Sequence, residues 1–371
     1  MMKTLVVKHA NSPTSYPIFI EQGLLKNLFW LPKHIQQIVI ITDNKVKKLY
    51  AQNLLKSLQK TKKKVLLLSF PSGEKAKNYQ MKHKLEQKIL SKHFDRDAFI
   101  LALGGGVVGD IAGFIAATYM RGISYIQIPT TLLAMVDSSI GGKTSINTSL
   151  GKNLIGAFWH PSSVIIDLHC LKTLPQKHLI NGLIEALKIF IIYDKNSFQF
   201  FEKNIHDILN GEAASHQIIF SAIRLKSQIV TQDEREKHLR SILNFGHTIG
   251  HALETLSNYR LLHGIAVGYG ILVESKISEI LGMLSRADYF KISQLLMKLG
   301  IHPKKLKTFN LQKIIALTQL DKKAKEEKAK YVLLKKIGKI HHKSKQFAFD
   351  VPNKVIEHAF FAVSEMTNAG K

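Results

Sequence analysis

The chain has 371 residues, 45% of them hydrophobic, which is enough for two domains with separate cores. Its single cysteine, Cys170, excludes intramolecular disulfides and is typical of a protein from the reducing cytoplasm. The net charge of +26 invites a nucleic-acid-binding interpretation, but the lysines are scattered and no aromatic-studded basic motif accompanies them. We therefore expect a cytoplasmic protein with a solvated basic surface, no secretion signal, and neither nucleic acid nor membrane as a partner.

The first half of the chain alternates short apolar runs with segments of helical length. The runs rich in β-branched residues predict strands at 37–42, 64–70, 98–103, 125–128 and 163–167. Such alternation is typical of a mainly parallel sheet with helices packed on it. We therefore predict an α/β domain over residues 1–175.

After Pro175 the pattern changes to a 3.6-residue periodicity with almost no strand signal. It predicts helices at 179–193, 215–234, 242–256, 267–281 and 289–299. A short strand pair is predicted at 330–334 and 338–343. We therefore predict a second, all-α or mainly α-helical domain over residues 176–371.

A glycine-rich loop at 104–110 follows a predicted strand and opens a predicted helix. Such a loop lets the backbone approach a diphosphate, and the helix N-terminus offers free N–H groups. The glycines match the dinucleotide fingerprint, although a tight turn also favours glycine. The acidic residue expected about 20 positions further on is missing. Asp43, at the end of an earlier strand, could bind a ribose instead, so we expect a nucleotide site outside the usual Rossmann order.

Polar segments follow other predicted strands, at 71–75 and 129–131, where open α/β sheets bind ligands. The run Gly141-Gly142-Lys143-Thr144 resembles the end of a phosphate-binding P-loop, but the first glycine of that motif is absent. We instead expect a flexible loop that presents Lys143 to an anion or simply exposes it to solvent.

His247 and His251 stand four residues apart and so project from one face of a helix. Thr248 replaces the glutamate of the metalloprotease pattern, so the two histidines are either ordinary half-buried side chains or ligands of another kind of site.

Glu185 and Lys188 share one face of an apolar helix, where they form either a local ion pair or part of a catalytic site. A catalytic zinc takes three protein ligands, which a carboxylate and two histidines, with His263 as a further candidate, would supply. Four polar residues lie before His247 in the chain and are candidates for anion binding and proton transfer: Lys226, Glu236, Arg240 and Asn244.

Taken together, these motifs resemble one family, 3-dehydroquinate synthase, over nearly the whole chain. The most specific segments are 71–78, 103–122, 127–158, 182–188, 233–254 and 263–268. The resemblance implies an NAD-binding α/β domain, a helical metal-binding domain, a site in the cleft between them and a homodimer. It also implies the conversion of 3-deoxy-D-arabino-heptulosonate 7-phosphate (DAHP) to 3-dehydroquinate and phosphate in the shikimate pathway. The steps are transient oxidation by NAD, phosphate elimination, re-reduction, ring opening and an intramolecular aldol closure.

The resemblance assigns site residues as well. A divalent metal, zinc or cobalt, falls to Glu185, His247 and His263. The residues expected to contact NAD are Asp43, Ser72, Gly73, Glu74, Lys75, Ala76, Lys77, Gly105, Gly106, Val107, Val108, Gly109, Asp110, Thr130, Thr131, Lys143, Lys152, Cys170, Leu171, Lys172 and Thr173. Those expected to act in catalysis are Lys143, Lys188, Lys226, Glu236, Arg240, Asn244 and His251. Further substrate contacts fall to Asp137, Asn153, one of Lys322 and Lys323, and Arg121, which in this family reaches the phosphate from the partner subunit.

Two departures from the family pattern flank matched positions: His238 replaces a common glycine and Ile189 replaces a frequent tyrosine. Three other functions remain open. A metal-dependent polyol or glycerol dehydrogenase would release NADH and would not need the cationic residues as an anion site. Another sugar phosphate cyclase would make a different carbocycle, and a nucleic-acid-binding protein would use the surface charge.

Overall fold

The computed structural model describes residues 2–9, 12–210, 213–319 and 329–366. Two compact units make up this chain. The first contains the described residues up to Pro175 together with Lys226–Glu234, and the second contains those of 176–225 and from Arg235 onward. The segment Lys226–Glu234 thus groups with the first unit, which a single division at residue 175 does not anticipate. Among the described residues, no helix is both long and apolar enough to cross a membrane.

The strands of the first unit are β1 (Lys3–His9), β2 (Ser12–Glu21), β3 (Gln37–Asp43), β4 (Lys64–Phe70), β5 (Ala98–Gly104), β6 (Tyr125–Pro129), β7 (Lys143–Thr148), β8 (Gly151–Phe158) and β9 (Ser163–Asp167). Within the described residues, a seven-stranded sheet has the order β1-β2-β9-β6-β5-β3-β4. Only β1 and β2 pair antiparallel in it, and the other neighbours are parallel. β7 and β8 form a separate antiparallel hairpin.

Helices cover both faces of this sheet: α1 (Asn44–Val46), which continues through a π-helical turn into α2 (Gln52–Gln59), α3 (Tyr79–Leu90) and α4 (Gly106–Thr118). Alternate residues of β3 enter different cores, because successive side chains of a strand point to opposite faces. Val39 and Ile41 pack in the core that contains α3 and α4. Ile38 and Ile40 pack in the core that contains α2. Burial on both faces explains why the parallel strands read as continuous apolar runs.

All five predicted strands of the first unit are confirmed to within one residue, and the α/β class with a mainly parallel sheet is confirmed. The predicted flexible loop around Lys143 is wrong, because Lys143 is the first residue of β7 and pairs with Phe158 of β8. The sequence pattern does not predict this hairpin, because its strands are rich in glycine, serine and asparagine rather than in alternating apolar residues. It depends instead on close contacts made elsewhere in the unit, such as that of Thr144 with Gly113 on α4, where an added Cβ would lie 2.5 Å from Thr144 Cγ2.

The helices of the second unit, to which most of α8 belongs, are α5 (Gln176–Tyr193), α6 (Lys195–Lys203), α7 (Ile205–Leu209), α8 (Ala213–Gln232), α9 (His247–Leu256), α10 (His263–Ile280), α11 (Arg286–Lys298), α12 (Leu311–Gln319) and α13 (Asn353–Ser364). Two short antiparallel pairs accompany them: β10 (Lys330–Tyr331) with β13 (Phe349–Asp350), and β11 (Leu334–Lys336) with β12 (Lys339–Ile340). The unit is therefore mainly rather than purely α-helical.

Two predictions for this unit need correction. The segment 242–256 is not one helix, since a 3₁₀-helix, Leu239–Asn244, ends before α9 begins at His247. Gly246 between them has φ of 79°, a left-handed conformation that favours glycine and interrupts the helical path. The predicted strand pair at 330–334 and 338–343 is not formed as one unit. β10, at its start, pairs with β13 near the end of the chain, and only β11 and β12 pair with each other.

The start of α9 and the middle of α10 approach each other where both lack a side chain. A Cβ added to Gly270 would lie 1.9 Å from the carbonyl oxygen of Gly246, which is far inside van der Waals contact. The two backbones can therefore stay this close only because residue 270 is glycine.

We expect Gly270→Ala to lower the free energy of unfolding by about 1–3 kcal/mol or more, because the added methyl group forces α9 and α10 apart. Gly268→Ala on the same helix is the matched control, since its Cβ would meet flexible side-chain atoms of Ile301 at 3.0 Å. Urea denaturation of both variants measures the difference. Equal stability of the two variants would contradict the role of this contact.

Candidate active site

Many of the residues expected to contact NAD lie at one edge of the sheet, whereas Lys143 and Lys152 lie on the separate hairpin of β7 and β8. β3, β4, β5 and β6 are parallel neighbours, so their carboxyl ends lie side by side: Asp43 is opposite Phe70, and Gly104 is opposite Pro129. Ser72 Oγ donates a hydrogen bond to Asp43 Oδ1 at 2.7 Å. The segments 71–77, 105–110 and 130–131 therefore follow neighbouring strands at the carboxyl-end edge that also carries Asp43, where open α/β sheets bind ligands.

Glycines at the start of α4 lie in close contact with neighbouring side chains. An added Cβ would lie 3.1 Å from Thr131 Cγ2 at Gly105, 3.0 Å from Ser138 Oγ at Gly106, and 2.6 Å from Gln127 Oε1 at Gly109. The same lack of side chains leaves the first N–H groups of α4 accessible to an anion. Both interpretations of the loop, tight packing and phosphate binding, are thus compatible with the geometry.

A buried lysine links three segments of the first unit. Lys77 is 3% exposed, and its Nζ donates to Asp110 and to Asn153 Oδ1. Burial raises the pKa of Asp110 even though Lys77 opposes the shift. Ser145 Oγ also donates to Asn153 Oδ1, at 3.0 Å. Asn153, expected to contact substrate, is therefore held by a residue expected to contact NAD.

Asn147 on β7 is a structural link that sequence reasoning missed. Its Nδ2 donates to Glu74 Oε1 at 2.8 Å, and its Oδ1 accepts from the Asn153 amide at 3.0 Å. Its own amide donates to the Lys77 carbonyl at 2.8 Å. Asparagine in a glycine-rich segment looks like an ordinary turn residue, so no sequence signal distinguishes it.

Cys170 lies in a 3₁₀-helix, Leu168–Thr173, with the neighbouring residues expected to line NAD. Its side chain is 1% exposed, and burial raises the pKa of its thiol to about 12. Such a thiol stays protonated at neutral pH and is a poor nucleophile. Its backbone carbonyl accepts a hydrogen bond from Tyr50 at 3.5 Å, so packing and backbone contacts rather than redox chemistry describe this residue.

Lys226 and Asp137 are brought together in the first unit. Lys226 is 5% exposed, and its Nζ donates to the carboxylate and the backbone carbonyl of Asp137.

His160 packs against the turn that precedes Lys143: a Cβ added to Gly142 would lie 2.6 Å from His160 Nδ1. His160 Nε2 in turn contacts Glu234 Oε1 at 2.7 Å. His160 was also missed, because a single histidine carries no spacing signal.

The candidate metal ligands converge on one buried oxygen. Glu185 on α5 is fully buried, and its Oε2 accepts a hydrogen bond from Lys188 Nζ at 2.6 Å. Its Oε1 accepts no hydrogen bond from any described residue. Nε2 of His263 lies 3.6 Å from this oxygen, and Nε2 of His247 lies 3.9 Å from it. The local ion pair between Glu185 and Lys188 is therefore confirmed, and since it uses only one carboxylate oxygen, a role of these residues in a catalytic site stays a prediction.

The remaining ring nitrogens of both histidines have acceptors. His247 Nδ1 lies 3.2 Å from the Phe245 carbonyl, and His263 Nδ1 lies 3.0 Å from Glu254 Oε2. A proton on each Nδ1 leaves the Nε2 lone pair directed at Glu185, the arrangement that orients metal-ligating histidines. Burial, followed by the charge of Lys188, holds the pKa of His247 well below its usual value. Burial also opposes protonation of His263, but Glu254 and Glu185 outweigh it and raise that pKa.

This arrangement fits a divalent metal. A tetrahedral ion about 2.0–2.2 Å from each ligand separates the ligand atoms by about 3.3–3.6 Å, close to the distances from Glu185 Oε1. A buried carboxylate oxygen without a donor is costly unless a cation meets it. The donor set of one carboxylate and two imidazoles is also one that catalytic zinc uses.

His251 belongs to the same group of imidazoles. Its ring centroid lies 5.2 Å from that of His247 and 5.9 Å from that of His263. Together with Glu254 and His263 it offers a second possible ligand set. However, Glu254 Oε2 is already hydrogen-bonded to His263, and His251 is exposed. The set that contains Glu185 has the unsatisfied buried oxygen, so it is the better candidate.

The 3₁₀-helix before α9 carries the other polar candidates of this unit. Asn244 Nδ2 donates to Glu236 Oε1 at 2.8 Å, and Arg240 is 2% exposed. Glu236 itself has φ of 57°, a strained conformation for a residue with a side chain. Lys322 and Lys323 lie outside the described residues.

Comparisons with known proteins identify the family of the chain. The family model for the 3-dehydroquinate synthase N-terminal region matches residues 67–181, and that for the C-terminal region matches residues 182–324. A 3-dehydroquinate synthase from Thermodesulfovibrio yellowstonii is 44% identical over 334 residues, which cover 88% of this chain and 92% of that protein.

Two solved structures are also similar. One is 2-deoxy-scyllo-inosose synthase complexed with carbaglucose-6-phosphate, NAD⁺ and Co²⁺, at 25% identity and a TM-score of 0.88, covering 96% of this chain and 99% of that one. The other is 2-epi-5-epi-valiolone synthase from Streptomyces hygroscopicus with NAD⁺ and Zn²⁺ bound, at 27% identity and a TM-score of 0.86, covering 96% and 98%. From the family models and the close relative together, the chain belongs to the 3-dehydroquinate synthase family.

Proposed function

We propose that this chain converts DAHP to 3-dehydroquinate and phosphate, a step of the shikimate pathway that leads to chorismate and the aromatic amino acids. The relatives in its family supply the reaction class, a phosphate-eliminating carbon–oxygen lyase. The observation within the molecule that carries the proposal is the buried Glu185 Oε1, which faces two histidine nitrogens and has no described hydrogen-bond donor.

The cofactors of the proposed reaction are NAD and one divalent metal, zinc or cobalt, as in the two similar synthases. Glu185, His247 and His263 would hold the metal. Asp43, the glycine loop at the start of α4 and the segment 71–77 would hold NAD. When bound, the metal acidifies a substrate hydroxyl, and NAD accepts and returns a hydride.

In the second unit, each polar residue has a distinct task. Lys188 orients the Glu185 carboxylate through the 2.6 Å hydrogen bond to Oε2. Arg240 and Asn244 supply donors for an anionic group of the substrate, because charge-assisted hydrogen bonds in a buried setting are strong. His251, the exposed imidazole beside the two half-buried ones, handles protons rather than metal.

In the first unit, Lys226 and Asp137 form a partly buried ion pair, and Lys143 stands exposed at the start of β7. These cations would bind the carboxylate and phosphate groups of DAHP as point charges. Asn153, held by Lys77 and Ser145, adds a neutral contact. Holding the ring-opened intermediate in a reactive conformation is the main contribution such residues make to the final aldol step.

A cytoplasmic homodimer completes the proposal. Met120, Arg121 and Gly122 all have positive φ, of 48°, 68° and 120°, so the turn holds Arg121 in an unusual exposed conformation. At Met120 and Arg121, which carry side chains, backbone strain of this kind costs about 1–3 kcal/mol per residue, and such strain is concentrated at functional sites. Arg121 would extend to the phosphate bound by the partner subunit.

We expect phosphate release from DAHP in the presence of NAD, and its loss after a chelator has removed the metal. NADH should not accumulate, because the hydride returns to the same substrate. Coupled phosphate detection and absorbance at the NADH band measure both quantities. Stoichiometric NADH with a simple alcohol, and no phosphate from DAHP, would identify a dehydrogenase instead.

The histidines should separate in their effects. His247→Ala and His263→Ala should abolish metal binding, whereas His251→Ala should keep the metal and lose turnover by about 10²–10⁴-fold, the range for removing a general acid or base. Elemental analysis after gel filtration, together with kcat, measures this. Loss of metal from His251→Ala with retention in Glu185→Ala would point to the alternative ligand set.

The partner role of Arg121 is testable by mixing subunits. Arg121→Ala and His263→Ala should each be inactive alone, but dissociating and reassociating the two together should restore part of the activity. The reason is that one site of each mixed dimer then has both lesions and the other has neither. Absence of any restored activity in verified mixed dimers would contradict the assignment.

A further inference from the structure

Glu274 is a fully buried carboxylate on α10, the helix that begins with His263. Acidic side chains are almost never fully buried without partners. No sequence motif singles it out, because it lies in a long apolar helix. Its surroundings therefore require a physical explanation of their own.

The partners of Glu274 are backbone N–H groups at the start of α9. Its Oε2 accepts from the Gly246 amide at 2.8 Å, and its Oε1 lies 3.5 Å from the Ile249 amide. The first N–H groups of a helix lack intrahelical acceptors and carry partial positive charge. Gly246 has no side chain with which to cap the helix, so Glu274 does this from the neighbouring helix.

The state of ionisation does not decide this contact. Burial raises the pKa of Glu274 to about 8, against the effect of the backbone hydrogen bonds from Gly246, Ile249 and Thr248. Both the neutral acid and the carboxylate present an oxygen that accepts from Gly246. The cap therefore persists across neutral pH.

The consequence concerns His247, the first residue of α9. Its Nδ1 contacts the Phe245 carbonyl, so the orientation of the ring follows the backbone on either side of Gly246. Glu274 holds that backbone, and the close approach of Gly270 to Gly246 leaves it no room to move toward α10. One helix thus contributes His263 directly and controls the position of His247.

We propose that Glu274 is a positioning residue for the metal centre, because it fixes the start of α9 so that His247 Nε2 faces Glu185 and His263. The inference rests on the proposed role of these three residues as metal ligands. Glu274 acts through the α9 backbone and touches neither metal nor substrate.

Replacement of Glu274 tests this through metal affinity rather than turnover. Glu274→Met removes both acceptor oxygens at similar volume and should weaken Co²⁺ binding by about 10–100-fold, the usual effect of losing an outer contact of a metal site. Glu274→Gln keeps one acceptor and should recover most of the affinity. Competition with a chelating dye gives the dissociation constant, and the visible absorption of bound Co²⁺ reports the ligand geometry.

Ser278→Ala is the matched control. Ser278 is fully buried one turn further along α10, and its Oγ bonds to the Glu274 carbonyl at 2.9 Å and accepts from the Leu334 amide at 3.0 Å. Its loss should lower stability but leave Co²⁺ affinity and absorption unchanged. Urea denaturation of the metal-free variants provides the comparison.

Wild-type Co²⁺ affinity in Glu274→Met, with only its stability reduced, would overturn the proposal and leave Glu274 a purely structural residue. If Glu274→Met does not fold, Glu274→Asp replaces it, since the shorter side chain also breaks the 2.8 Å hydrogen bond and should also weaken Co²⁺ binding. If His247→Ala binds Co²⁺ as wild type does, the metal assignment itself fails. Dependence on His247 without dependence on Glu274 overturns the positioning role alone.

Discussion

The second unit depends on one buried carboxylate, and the two oxygens of this carboxylate differ in their hydrogen-bond partners. Glu185 gives one oxygen to Lys188 and leaves the other without a described donor, 3.6 and 3.9 Å from two imidazole nitrogens. Burying a charge costs several kcal/mol, and one lysine compensates only part of it. A cation between the free oxygen and the two histidines, as proposed above, would remove the remaining cost and would hold α5, α9 and α10 together.

The contacts around Glu185 orient the two histidines toward its free oxygen. Each histidine has its Nδ1 on an acceptor, Phe245 in one case and Glu254 in the other, so that both Nε2 atoms point inward. α9 starts at His247, the proposed metal ligand, because Gly246 breaks the helical path and Glu274 accepts a hydrogen bond from the Gly246 amide. In the first unit, a comparable network built on Lys77 and Asn147 joins the segments expected to contact NAD.

Parts of the fold and of the candidate site could be predicted from the sequence. The other parts could not, and the reasons are physical. Buried parallel strands read as apolar runs, so the sheet was predictable. The hairpin β7–β8 was not, because it depends on contacts with distant glycines rather than on its own pattern. The spacing of His247 and His251 placed both on one face but did not divide their tasks. That division depends on Glu185, 62 residues earlier in the chain by their numbering, and only the resemblance to the family indicated it. Glu274 contacts the Gly246 amide and His160 contacts the Glu234 carboxylate, and such contacts between residues distant in sequence leave no local signal.

Anomalous diffraction from crystals of the zinc-loaded protein, collected at the zinc absorption edge, tests the central claim most directly. The account predicts one peak per chain within about 2.0–2.2 Å of Glu185 Oε1, His247 Nε2 and His263 Nε2. A peak bound by His251 and Glu254 instead, with Glu185 Oε1 uncoordinated, would contradict it.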